Sequence, residues 1–352
     1  MFYINVPFGI IALAGILLSM PSSTLDRVRR FDWFGFAYLS LAIGAFQIML
    51  DRGTHRDWFA ANEIILEALI AGVALYLFIV HAATARNPFI ELRLFRDRNL
   101  ALGLIIMFIV GMILYATMAL LPPFLETLMD YPVTTTGLVL APRGMGTMVA
   151  MLIAGRMASR VDNRLLIAFG LGLASFSLWE MAQFNLEVSE WTIIRTGITQ
   201  GFGIGFIFAP LTTITFATLS IDLRTEGTSF YSLLRNVGSS VGISTGETFI
   251  TYMTQYNHAE LAAGIGPLNP AIRYNTLPGW DITSLQGLEM INGEITRQAA
   301  TIAYLNDFRL MMYLALIGVP LVFLMRARPP ETPADETGDT VDEMEPAAAA
   351  IH

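Results

Sequence analysis

Two arginines stand where a charge is expensive. Arg143, within "LAPRGMGTM", and Arg235, within "LLRNVGSS", each lie inside an apolar run long enough to cross a bilayer. Helical rise places them about 10 Å and about 12 Å from opposite ends of their runs. An ionisable group at that depth is kept only where it faces protein or a water-filled path. The pair therefore implies either the lining of a central cavity or structural bonds to backbone carbonyls. Arg195 opens a third run, "RTGITQGFGIGFIFAP", which also carries Gln200, while Glu67, Glu180 and Glu247 fall toward the ends of theirs. Solvation at the interface is the leading reading for the glutamates, and Glu247 is kept with Arg143, Arg235, Arg195 and Gln200 as a residue for cavity or coupling chemistry. Nothing points to an enzyme. His55, His81, His258 and His352 are scattered and cysteine is absent, so no catalytic, metal or cofactor site is expected.

The elements that must hold these residues are membrane helices. Of 352 residues, 54% are hydrophobic and 14% charged, with mean hydropathy +0.57, against about 25% charged in soluble domains. A span needs about 20 mostly apolar residues, and nine stretches qualify, near 2–20, 33–50, 64–83, 100–125, 136–155, 164–184, 191–219, 227–252 and 308–326. The first is not a signal peptide, since it lacks a basic region before it and a cleavage site after it. All basic residues are Arg, and 13 of the 21 fall in 21–32, 84–99, 156–164, 220–226 and the tail after 325. The positive-inside rule makes these segments cytoplasmic and the start of the chain extracytoplasmic, in a multi-pass protein of the inner membrane. Residues 329–352 hold seven of the net eight negative charges and no Arg, a disordered acidic cytoplasmic tail that implies no nucleic-acid partner. The connection 253–307 lies outside, begins with turn signals at Gly266-Pro267, Asn269-Pro270 and Pro278-Gly279, and continues into an amphipathic helix along the outer interface that leads into the ninth span.

Gly238, Gly242 and Gly246 recur four apart on one face, a spacing that permits close helix packing. After the fifth span, "AGRMASRVDNRLL" places Gly155, Arg156, Arg160 and Arg164 in a short cytoplasmic turn. This stretch resembles the interior-loop motif of the major facilitator superfamily, G-x-L-A-D-R-x-G-R-K, with Ser159 where the motif has its acid. "RTGITQGFGIG" then falls on helix four of a six-helix half, and the glycine stripe on helix five. With "LPPFLETLMDYPVTTTGLVLAPRGMG", "GFIFAPLTTITFATL" and "LNDFRLMMYLALIGVPLVFL" in register, the chain resembles the C-terminal part of EmrB/QacA-type multidrug transporters, 14-helix drug:proton antiporters.

That resemblance implies an all-α membrane fold without about the first five helices. Residues 1–20 would be the last helix of an incomplete N-terminal bundle, 21–99 two linker helices with a cytoplasmic loop, and 100–328 the C-terminal six-helix bundle. It implies proton-coupled efflux of hydrophobic or cationic drugs by a complete or split transporter. The alternatives are a non-functional truncated remnant and a carrier of a defined anionic solute bound by Arg143 and Arg235. The partners implied are the lipid bilayer, protons, small substrates, a missing N-terminal half and a periplasmic adaptor protein. The motif residues would form an interior-loop gate.

Overall fold

The computed structural model describes residues 5–19, 31–86, 88–265 and 284–326. Among these are nine α-helices and no strand: α1 (Asn5–Ser19), α2 (Trp33–Gly53), α3 (Asn62–Thr84), α4 (Arg98–Pro123), α5 (Val133–Met157), α6 (Asn163–Met181), α7 (Glu190–Phe216), α8 (Arg224–Ala263) and α9 (Leu285–Phe323). An all-helical fold follows from the solvent, because in hydrocarbon a backbone polar group has no partner outside its own segment. The two prolines ending α4 interrupt its ladder, and Phe124–Leu128 continues as a short π-helix.

Nine spans were expected, and seven helices, α2 to α7 and α9, are long and apolar enough to cross a membrane. The described part of α1 has 15 residues. α8 has 40 but carries Ser, Thr, Gly and Asn along the part that should span, for a reason visible in its packing. Arg27, Arg29, Arg30, the turn signals between 266 and 279, and the acidic tail lie outside the described residues.

The segment 253–307 departs from its expected form. α8 runs on to Ala263, and the amphipathic stretch from Leu285 is continuous with the ninth span in one unbroken helix. Between Gly293 and Gly318 there is neither Gly nor Pro to stop it. At 39 residues α9 is about 58 Å long, well beyond a hydrocarbon core of about 30 Å. The two extensions lie side by side: Asn257 Nδ2 donates to the Ala299 carbonyl at 3.3 Å, and the His258 ring meets Asn292 Oδ1 at 3.0 Å.

α4 is the centre of the bundle. It is apolar on every side and has fifteen buried residues, as expected of a helix enclosed by others. α8, α7 and α9 pack around it, α5 and α6 flank α7, and α9 closes against α6. α8 reaches α4 through its glycines. A Cβ at Gly238 would stand 2.3 Å from the Phe108 carbonyl oxygen, and one at Gly242 2.6 Å from Met112 Cα.

The opposite side of α8 holds the α2–α3 hairpin by hydrogen bonds. Ser240 donates to Gln47 Oε1 at 2.5 Å and Ser244 to the Leu50 carbonyl at 2.8 Å, while Thr248 meets Thr54 at 2.9 Å and receives Trp58 Nε1–H at 3.1 Å. This accounts for part of the polarity of α8: Ser240, Ser244 and Thr248 turn their hydroxyls to α2 and the turn that follows it. At the other end of the hairpin Asp32 caps α2. Burial alone would raise its pKa. The Gly35 and Phe89 backbone N–H groups and the His81 ring more than reverse this, so the Asp32 carboxyl sits below the ordinary carboxylate range.

Gly242→Ala is expected to lower stability by about 1–3 kcal/mol, the cost of overpacking against backbone that cannot yield. Gly137→Ala, whose Cβ would meet nothing within 4 Å, should be neutral or slightly stabilising through helix propensity. Thermal unfolding of the two variants in detergent measures the contrast.

Candidate functional site

Arg143 and Arg235 come together at one cavity. It has a volume of about 760 Å³ and is walled by α4, α5, α7 and α8. Leu114, Leu121, Leu140 and Phe208 supply much of its apolar surface, and Thr117, Thr147 and the two arginines supply the polar side chains. No carboxylate is among its lining residues.

The guanidinium groups are placed by glycines on other helices. α7 lies so close to α5 that a Cβ at Gly201 would stand 2.1 Å from the Arg143 carbonyl oxygen, and a Cβ at Gly111 of α4 would stand 2.5 Å from that of Arg235. Each arginine thus projects from a turn seated directly on a neighbouring backbone, which fixes where its side chain starts. Their side chains are less satisfied than their backbones. Arg143 Nη2 makes a long 3.4 Å hydrogen bond to the Leu114 carbonyl, and the buried Arg235 Nε has no partner among the described residues. An Arg has five N–H donors, so both retain donors for an anion or for cavity water.

The other sequence-selected residues lie elsewhere. Gln200 is fully buried behind the wall, its Nε2 3.4 Å from Thr117 Oγ1 and its Oε1 without a partner among the described residues. Arg195 is at the rim of the bundle, paired with Glu180 at 2.5 Å. Glu67 faces Arg52 at 3.8 Å, and Arg52 also pairs with Glu63. Glu247 is exposed and does not line the cavity. Gly155, Arg156 and Arg160 are exposed around the turn from α5 to α6, which Asp162 caps by accepting the Arg164 N–H. No ion pair joins Arg156, Arg160 or Arg164 to a carboxylate among the described residues, and Arg164 Nε is buried without a partner. No group of three His, Cys, Asp or Glu stands together among those residues.

One residue escaped sequence reasoning. Asp307 immediately precedes the apolar run 308–326, yet it lies within α9 and is 1% exposed. Helical spacing continues from Ile291 through Phe308 without interruption, and following it would have placed this acid inside the bundle.

Residues 64–243 match the family described as "Major Facilitator Superfamily". The chain belongs to that superfamily. It is 32% identical over 333 residues to "Multidrug export protein EmrB" of Escherichia coli K12, covering 94% of this chain and 65% of that protein. Over 335 residues it is 30% identical to "Probable multidrug resistance protein EmrY" of the same organism, with the same coverage. "Fatty acid resistance protein FarB" of Neisseria gonorrhoeae is 31% identical over 332 residues, again covering 94% of this chain and 65% of that protein. The chain thus spans about two thirds of the length of these superfamily relatives. The superfamily match makes it a multi-pass membrane protein, in agreement with its apolar helices.

In a complete superfamily transporter containing these residues, Arg235→Ala should leave membrane insertion intact and sharply reduce efflux at equal expression. Arg235→Lys should restore only part, because it keeps the charge and loses the planar fork of donors. Efflux assays normalised to membrane-inserted protein decide the matter, and full activity of the Ala variant would give Arg235 a structural role.

Proposed function

We propose that this chain forms the C-terminal part of a proton-coupled exporter of hydrophobic compounds at the cytoplasmic membrane, in a complete or split protein. The supporting observation is the apolar cavity with Arg143 and Arg235 in its wall and, among the described residues, no acid lining it. The names of its relatives, multidrug export and fatty acid resistance, agree with that class of activity. Alternating access requires two bundles working around a midplane site, so transport needs a partner bundle to face this cavity.

The cavity favours anionic amphiphiles over the hydrophobic cations implied by the sequence resemblance. At an effective dielectric constant of about 20, a unit charge about 4 Å from a guanidinium interacts by about 4 kcal/mol, favourably for an anion and unfavourably for a cation. Apolar walls take up a chain or ring, and the free donors of Arg143 and Arg235 take up a carboxylate or sulfonate. Bidentate geometry suits such groups. A fluorescent long-chain carboxylate should bind saturably to the purified chain, and Arg143→Ala or Arg235→Ala should weaken it about 10- to 150-fold, the value of one charged hydrogen bond of about 1.5–3 kcal/mol. Effective competition by a cationic dye, or unchanged affinity in both variants, would favour the cationic reading.

The orientation proposed from Arg placement puts the start of the chain and the 253–307 segment outside and the tail inside. Single cysteines at Ser284 and Thr337 of this cysteine-free chain should then label from opposite sides with an impermeant thiol reagent. Labelling from one side would refute that topology.

A further inference from the structure

We propose that Asp307 is the proton-carrying carboxyl of this bundle, loaded when α8 and α9 are packed and discharged when they part. The proposal rests on the export reading above and adds to it the residue through which a proton acts. Asp307 projects from α9 toward α8 where Gly246 leaves room: a Cβ at that glycine would stand 3.4 Å from Asp307 Oδ1. Leu120 of α4 packs against the same glycine, and Ala303 and Ile250 lie in the same apolar cluster as Leu120. Asp307 Oδ1 is buried with no hydrogen-bond partner among the described residues. An ionised carboxylate enclosed this way, with neither a cation nor sufficient donors, is strongly disfavoured. The packed state therefore holds the neutral acid.

Among the described residues no ion pair reaches Asp307. On α9 itself, Tyr304 is one turn away, and Arg309 is exposed, near Asn306 at 3.4 Å. On α8 the neighbouring titratable group is Glu247, which is exposed and, being an acid, supplies no positive charge to Asp307. α4 presents Leu120, and on α6 Glu180 is already paired with Arg195. When α8 moves off α9, water reaches the carboxyl, its O–H bond breaks, the proton passes to water and the carboxylate keeps the electron pair. Repacking requires a proton to be recaptured. Conformation and proton occupancy are then linked, each biasing the other.

Asp307 is separate from the cavity, whose lining residues on α4 include Leu121 but not Leu120. Export substrate and proton would therefore occupy different places, joined by the α4–α8 contact that also seats Arg235.

Infrared titration of the purified full chain provides the test. The unsubstituted protein should show a protonated carboxyl C=O stretch that persists at neutral pH, lost in Asp307→Asn and shifted in Asp307→Glu. If Asp307→Asn does not fold, the shift in Asp307→Glu is the readout. A neutral-pH band that is missing from the unsubstituted protein, or that neither substitution alters, would overturn the proposal. In a complete transporter containing these residues, Asp307→Asn should lose transport driven by a proton gradient while retaining solute counterflow. Equal loss of both by a folded variant would mark Asp307 as merely structural. A transporter that never responds to a proton gradient would overturn the export reading and with it the coupling role, whereas the infrared result separately decides whether Asp307 holds a proton.

Discussion

Backbone-to-backbone contact at glycine is the constraint on which the rest of this bundle depends. In lipid there is no hydrophobic drive to bring apolar helices together, so association relies on close packing and on hydrogen bonds between helices. α8 uses both. Its glycines lie against the α4 backbone at Phe108 and Met112, and its hydroxyls, on another side, bond to α2 and the turn that follows it. A helix held in this way from two directions can be polar along its length and still sit at membrane depth.

That packing carries the chemistry. The arginine side chains are long and flexible, but the turns from which they leave are not, because Gly201 meets the Arg143 backbone and Gly111 meets the Arg235 backbone. The cavity is therefore a by-product of helix spacing: small residues draw parts of α4, α5, α7 and α8 together, while Leu121, Phe208 and the arginines hold other parts open. Elsewhere, charges at the ends of helices are paired locally, Arg195 with Glu180 and Arg52 with Glu63 and Glu67, and are thus removed from competition for the cavity.

Much of this was legible in the residues. The apolar runs located the helices, and the cost of burying a charge singled out Arg143 and Arg235 as residues whose surroundings had to be exceptional. The glycine stripe announced a close contact, although the pattern does not say which helix it meets. Legibility failed where an element was judged by composition alone. Apolar composition begins the ninth span at 308, although residues 285–305, read as an amphipathic helix leading into it, run on unbroken as α9. The same error put Asp307 at a boundary. Glu247, chosen because it falls inside an apolar run, turns outward from α8, and periodicity without a known neighbour cannot tell which face of a helix will be enclosed.

The paired extensions of α8 and α9 have a mechanical consequence. An unbroken helix bends only gently unless a proline, glycine pair or bulge interrupts it, and α9 has none between Gly293 and Gly318. With α9 about 58 Å long and Asn257 and His258 tying it to α8, a tilt of the membrane part is transmitted to the projecting end and enlarged by distance. The projection behaves as a pointer. Any change of tilt in the membrane part would therefore change the angle of that projecting end.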